Sequence, residues 1–237
     1  MSDTARYHDQ SQNVSGSGHS NISYNNNGPA APPRPAQAPE TAHEPAPAPV
    51  PVPAGLSSSR ARNVFVVHGR DEQMRQATFG LLRRLDLRPL EWEELVRATG
   101  KTAPYIGEVV ANAPSLAQAA IVLLTPDDTA KLHPELLGDY ERVDEVQYTG
   151  QPRQNVLIEL GMVLMAYPER TILVEVGRLR HATDIEGLNV IRFDGSTTSL
   201  EKIVARLKGA GCLVDDARPD WRETSYFQNL SAYRRLP

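Results

Sequence analysis

Ala119-Ala-Ile-Val-Leu-Leu-Thr125 decides the fold. It is apolar through Leu124, with no polar residue alternating in. Such a strand has no solvent face and belongs in the middle of a parallel sheet covered on both sides. Outward from it, the chain alternates strands and helices. Asn63-Val-Phe-Val-Val67 is a short β-branched run that reads as another buried strand. Asp71 to Leu85 has helical spacing, with Leu81, Leu82 and Leu85 on one side. Leu87 to Trp92 is a strand candidate, and Pro104 to Asn112 reads as a helix with proline in its first turn. Downstream, Pro152 to Tyr167 reads as a helix, Thr171 to Val176 and Asn189 to Phe193 as strands, and Leu200 to Lys208 as the last helix. Alternation of this kind implies an α/β fold: a five-stranded parallel sheet with helices on both faces, flavodoxin-like, with right-handed crossovers.

Composition divides the 237 residues into three segments. Residues 1–28 are low in complexity and rich in Asn, Gly and Ser, residues 29–61 are Pro/Ala-rich, and residues 62–237 are globular with a C-terminal tail. Ten of the 19 prolines fall between Pro29 and Pro53. Proline fixes φ and removes a donor, so this stretch reads as a stiff spacer or as a Pro-motif ligand. Gln12 to Gly28 is nearly uncharged, with sparse Val14, Ile22 and Tyr24. Disorder is the expectation there, and homotypic or partner contact through residues 10–28 the sharper alternative, because Asn ladders suit cross-β stacking. Trp221, Tyr226, Phe227 and Tyr233 are expected to pack the C-terminal tail onto the domain.

The same composition excludes several function classes. A formal charge of −4 argues against a general electrostatic grip on nucleic acid, which needs a strongly basic surface, so no nucleic-acid partner is expected. A single cysteine, Cys212, rules out an intramolecular disulfide and a cysteine zinc site, and fits a reducing cytoplasm. No apolar run reaches the ~18 residues that span a bilayer, and the first residues do not form a secretory signal, so no membrane partner is expected. His133 and His181 lack partners at metal-ligand spacing, so no metal site is expected.

Three segments reach the carboxyl ends of the expected strands, where such sheets bind ligands. In His68-Gly-Arg-Asp71, Gly69 allows close backbone approach, free helix N–H groups could meet a phosphate, and Arg70 could add charge. The plain alternative is a strand-to-helix turn with Asp71 as N-cap. Thr125-Pro-Asp-Asp128 and the connection from Glu91 to Ala103 arrive at the same edge. Within that connection, Thr99-Gly-Lys-Thr102 is no P-loop, because Leu95 stands where the first glycine belongs. From Val156 to Ala166 the helix is apolar except for Glu159 and Gly161, and is expected to be buried around most of its circumference. A carboxylate there needs pairing, hydrogen bonding or neutralisation. Glu159 is therefore either a site residue or a structural partner of an arginine, with Asn155 on its face and Arg153 near the helix start.

Val64-Phe-Val-Val-His-Gly-Arg-Asp71, Ala120-Ile-Val-Leu-Leu-Thr-Pro-Asp-Asp128 and Arg153-Gln-Asn-Val-Leu-Ile-Glu-Leu-Gly161 together resemble the bacterial TIR-like predicted nucleotide-binding family, the TIR type found in effectors of anti-phage signalling. The resemblance spans about Asn63 to Gly211. It implies a flavodoxin-like TIR domain that hydrolyses NAD+ to nicotinamide and ADP-ribose, with NAD+ as substrate and no cofactor. It implies Glu159 as the catalytic glutamate, with His68, Gly69, Arg70, Thr125, Asp127, Arg153 and Asn155 around the nucleotide. It also implies a mobile loop from Trp92 to Ala103 and a homo-oligomer formed by TIR–TIR contacts. A non-catalytic nucleotide-binding or scaffolding module is the alternative.

Overall fold

The computed structural model describes residues 59–180, 185 and 187–236. The expectations for the low-complexity segment and most of the proline-rich one lie outside the described residues.

Strand β1 (Asn63–Val67) leads through His68–Asp71 into α1 (Glu72–Arg84), and β2 (Arg88–Leu90) follows. Next come α2 (Trp92–Ala98), α3 (Ile106–Leu116) and β3 (Ala119–Leu124). A hairpin of β4 (Asp128–Ala130) and β5 (Thr149–Gln151) encloses the single turn α4 (Val143–Val146). The chain continues through α5 (Gln154–Ala166), β6 (Thr171–Val176), β7 (Ile191–Phe193) and α6 (Thr197–Gly209).

The main sheet has the order β2-β1-β3-β6-β7, and every pair in it is parallel. This is the expected five-stranded α/β sheet. β3 sits at its centre with all six residues buried, because a strand apolar on both faces has nowhere else to go.

Period-2 alternation sends β1 side chains to two separate cores. Val64 and Val66 join one with α1, α6 and the C-terminal segment, while Phe65 and Val67 join the other with α2, α3 and α5. The first core closes only with residues from a strap after α6: Trp221, Phe227, Leu230 and Ala232 are all buried in it. Two glycines with positive φ make room for that strap. A Cβ on Gly177 (φ 76°) would stand 2.2 Å from the Ala232 carbonyl oxygen, and one on Gly195 (φ 77°) 2.8 Å from that of Phe227. Cys212 is buried in the first core, and burial pushes its thiol up to about 11.

Three points differ from expectation. Trp92 to Ala98 is helix α2, with Leu95 fully buried and the Glu94 side chain accepting from the Glu91 N–H at 3.1 Å. The expected loop from Trp92 to Ala103 therefore shrinks to the turn after α2. Thr99 and Gly100 (φ 68°) end that helix, which also explains why they build no phosphate loop. Helix α3 starts at Ile106, past Pro104, because the Glu108 carboxylate accepts from the Tyr105 N–H at 3.3 Å and fixes the first turn there. The β4–β5 hairpin was not foreseen. The strap packs onto the domain as expected: Trp221 and Phe227 enter the core, Tyr233 packs against it, and Tyr226, 57% exposed, lies under the Arg84 guanidinium of α1.

Candidate functional site

The β1/β3 junction is where the strand order reverses, and in open α/β sheets the crevice for ligands lies between the loops that leave the strands on either side of such a junction. His68-Gly-Arg-Asp71 and Thr125-Pro-Asp-Asp128 meet there. Asp127 is the centre of the meeting. Its Oδ2 accepts the Arg70 backbone N–H at 2.7 Å, and its Oδ1 accepts the Thr125 hydroxyl at 2.9 Å. The carboxylate comes so close to Gly69 that a Cβ there would stand 1.7 Å from Oδ2. The close approach that Gly69 permits is thus made by a carboxylate of the protein itself. Asp71 caps α1, its Oδ1 accepting the Met74 N–H at 2.9 Å, as the plain reading of that turn expects. The His68 Nδ1 lies 2.9 Å from the Gly69 carbonyl oxygen, and its ring meets Phe79 edge-on at 6.2 Å.

Arg153 stands at the N-cap of α5 and brings that helix to the crevice. Its Cγ lies 3.7 Å from where a Gly69 Cβ would be, and its guanidinium reaches Asp128 at 3.9 Å. The structure thus gathers His68, Gly69, Arg70, Thr125, Asp127 and Arg153. Asn155 is exposed in the first turn of α5, one turn before Glu159.

Helix α5 is not buried around its circumference. Only Val156, Leu160 and Val163 are fully inside, while Ile158 is 53% and Met165 87% exposed. At about 100° per residue, Ile158, Gly161 and Met165 fall on the face opposite the sheet. Glu159 falls roughly 70° from the centre of the buried face, on its flank. It is half-buried, and among the described residues it has no hydrogen bond or ion pair. Burial alone pushes its carboxyl up to about 7. The pairing with an arginine that would make Glu159 structural is not formed by Arg153, which binds Asp128 instead. A carboxyl of this kind exists at neutral pH as both acid and carboxylate.

Two further contacts fix the residues of the crevice. Asp128 holds Arg153, and Arg235, from the far end of the chain, reaches Asp71 at 2.8 Å and Asp127 at 3.4 Å. The β4–β5 hairpin is tied to the loop after β6 by the Arg180–Glu145 ion pair and by the Arg180 N–H donating to the Gly150 carbonyl at 2.8 Å. A cavity of about 480 Å³ beside β2, lined by Phe79, Arg83, Arg88, Glu91 and Glu94 among others, involves none of the crevice residues. Among the described residues no group of His, Cys, Asp and Glu could hold a metal ion, and no helix is long and apolar enough to cross a membrane.

A family model described as the TIR domain of CAP12/Pycsar effector proteins matches residues 63–195. That match takes in β1 through the turn after β7, and with them every crevice residue named above except Arg235. No curated protein matches the chain.

Proposed function

We propose that this chain, which belongs to the TIR-domain family of CAP12/Pycsar effector proteins, is an NAD+ glycohydrolase that depletes NAD+ in anti-phage defence. The observation that carries the reading is Glu159: a half-buried carboxyl without a partner among the described residues, pushed up to about 7, on the helix that Arg153 anchors at the crevice. The bond to be cut joins C1′ of a ribose to the ring nitrogen of nicotinamide. That nitrogen is positively charged and takes the bonding pair with it, so nicotinamide leaves neutral and needs no acid. Positive charge then passes to the ribose as an oxocarbenium-like transition state. A carboxylate beside the sugar stabilises that charge and accepts hydrogen bonds from the ribose hydroxyls. Water adds to C1′ and gives up a proton, leaving ADP-ribose. One carboxylate suffices, because the leaving group requires no second.

In this reading the guanidinium groups of Arg70 and Arg153 face the pyrophosphate, with His68, Gly69, Thr125, Asp127 and Asn155 shaping the rest of the nucleotide surface. Activity depends on assembly of several copies in the cytoplasm. The outer stripe of α5 supports that part, since Ile158 and Met165 stand exposed on the same helix as Glu159. Residues 10–28 are the proposed second contact, and deleting residues 1–60 should then raise the protein concentration needed for half-maximal activity.

The test is direct. Concentrated protein is incubated with NAD+, nicotinamide release is followed, and the second product is identified by mass spectrometry. Release of nicotinamide with ADP-ribose supports the reading. Intact NAD+ across the whole concentration range refutes it and leaves the scaffolding alternative.

A further inference from the structure

Arg235 lies 40 residues beyond the end of the family match, yet it sits at the crevice. Its Nη2 donates to Asp71 Oδ2 at 2.8 Å and to the Ser231 hydroxyl at 2.9 Å. Its Nη1 donates to the Pro126 carbonyl at 3.3 Å and to Asp127 Oδ1 at 3.4 Å. The two carboxylates it touches are almost completely enclosed, with side chains 2% and 3% exposed. Two buried carboxylates side by side repel each other and lose hydration, so they require a cation. Among the described residues Arg235 is the cation that each of them meets. A guanidinium suits the task because its planar fork can reach two acceptors at once, which an ammonium does less well.

The two carboxylates organise the loops. Asp71 holds the first turn of α1 through the Met74 N–H, and Asp127 holds the Arg70 N–H and the Thr125 hydroxyl. One loop follows β1 and the other follows β3, so the bridge ties the two loops together where strand order reverses, beside the direct bond from the Arg70 N–H to Asp127. The strap that delivers the bridge is itself anchored in the core by Trp221, Phe227 and Ala232.

We propose that Arg235 is a positioning residue: by clamping Asp71 to Asp127 it holds the β1 and β3 loops in the spacing that nucleotide binding requires. The binding part of this statement rests on the proposed function; the clamp itself does not. Glu159 stands on α5 and makes no contact with the clamp, so binding should suffer more than the chemical step.

The experiment uses the full chain with Arg235→Ala, Arg235→Lys and, as control, Arg234→Ala, whose side chain is exposed beside it. Amide hydrogen exchange is read at Arg70 and Met74, the two N–H groups that the clamped carboxylates hold, and KM and kcat for NAD+ are read in parallel. In Arg235→Ala both amides should exchange at least about tenfold faster and KM should rise about tenfold, with kcat within about twofold of the parent. Arg235→Lys should fold and recover only part of both losses, and it is the variant that decides the matter if Arg235→Ala does not fold. Unchanged exchange in Arg235→Ala, equal effects in Arg234→Ala, or a full recovery with lysine overturns the clamp. A lowered KM would make the arginine an inhibitory plug and overturns it equally. If the parent cleaves no NAD+, the proposed function fails, while faster exchange at Arg70 and Met74 would still uphold the clamp.

Discussion

Replacing Glu159 by glutamine should push stability and activity in opposite directions. The ordinary carboxyl of the unfolded chain titrates at 4.5, and burial moves the folded one to about 7. Between these values the unfolded chain has released its proton and the folded one has kept it. Stability therefore falls as pH rises from 4.5 through about 7, and the whole cost is present above 7. At about 1.4 kcal/mol per pH unit the ceiling is ~3 kcal/mol. The flank position leaves the group partly hydrated, which reduces the cost to about 1–2 kcal/mol. Glutamine keeps the shape and never ionises. At pH 8 the Glu159→Gln protein should melt about 3–6 °C higher than the parent, and at pH 4.5 the two should coincide. In the same preparation, nicotinamide release should fall by at least ~100-fold, because the charge opposite the cationic sugar is gone. Thermal melts across pH 4.5–8.5 and a nicotinamide assay supply both readings. A melting difference that does not vary with pH would refute the burial argument, and an active Glu159→Gln would refute the catalytic one.

Other outcomes follow from the same geometry. Under the proposed function, kcat/KM for NAD+ of the parent should rise about tenfold per pH unit below ~7 and level off above it, with the carboxylate as the working form; the kcat limb should lie lower, because the bound cationic nicotinamide favours the ionised form, and a flat profile from pH 5 to 9 would count against Glu159. Gly69→Ala should destabilise the fold by about 1–3 kcal/mol in a urea titration and raise KM, because Asp127 is held by Arg70, Thr125 and Arg235 and cannot retreat from a Cβ 1.7 Å away. Gly177→Ala combines a positive φ with a Cβ 2.2 Å from the Ala232 carbonyl oxygen; a loss of about 2–4 kcal/mol and quenching changes at Trp221 should mark the loosened strap.

The parts of the fold that were legible in sequence are those whose burial is continuous. β3 shows itself because six apolar residues in a row fit only a covered central strand, and β1 and β6 show themselves by β-branched and aliphatic runs. Helix α2 is hidden because its seven residues bury only Leu95, too little for a helical period to register. The β4–β5 hairpin is hidden because strands of three residues are too short to show an alternation. The crevice was half legible. His68, Asp127 and Arg153 follow from strand ends and a helix start, but the partners that fix them do not. An arginine 164 positions from Asp71 looks in sequence like any surface cation. Helix α5 misled for another reason: an apolar count cannot tell a face covered by its own fold from one left open, and Ile158 and Met165 belong to the second kind.

The strap also sets an order of events. Asp71 leaves the ribosome 164 residues before the arginine that neutralises it, and Gln73 leaves 158 residues before Ser231, whose N–H its side chain accepts. Domains assemble from the N-terminal side as they are made, at roughly 5–20 residues per second. A nascent chain carrying every segment of the family match still lacks Trp221 and Phe227, and so waits with one face of its sheet unsealed.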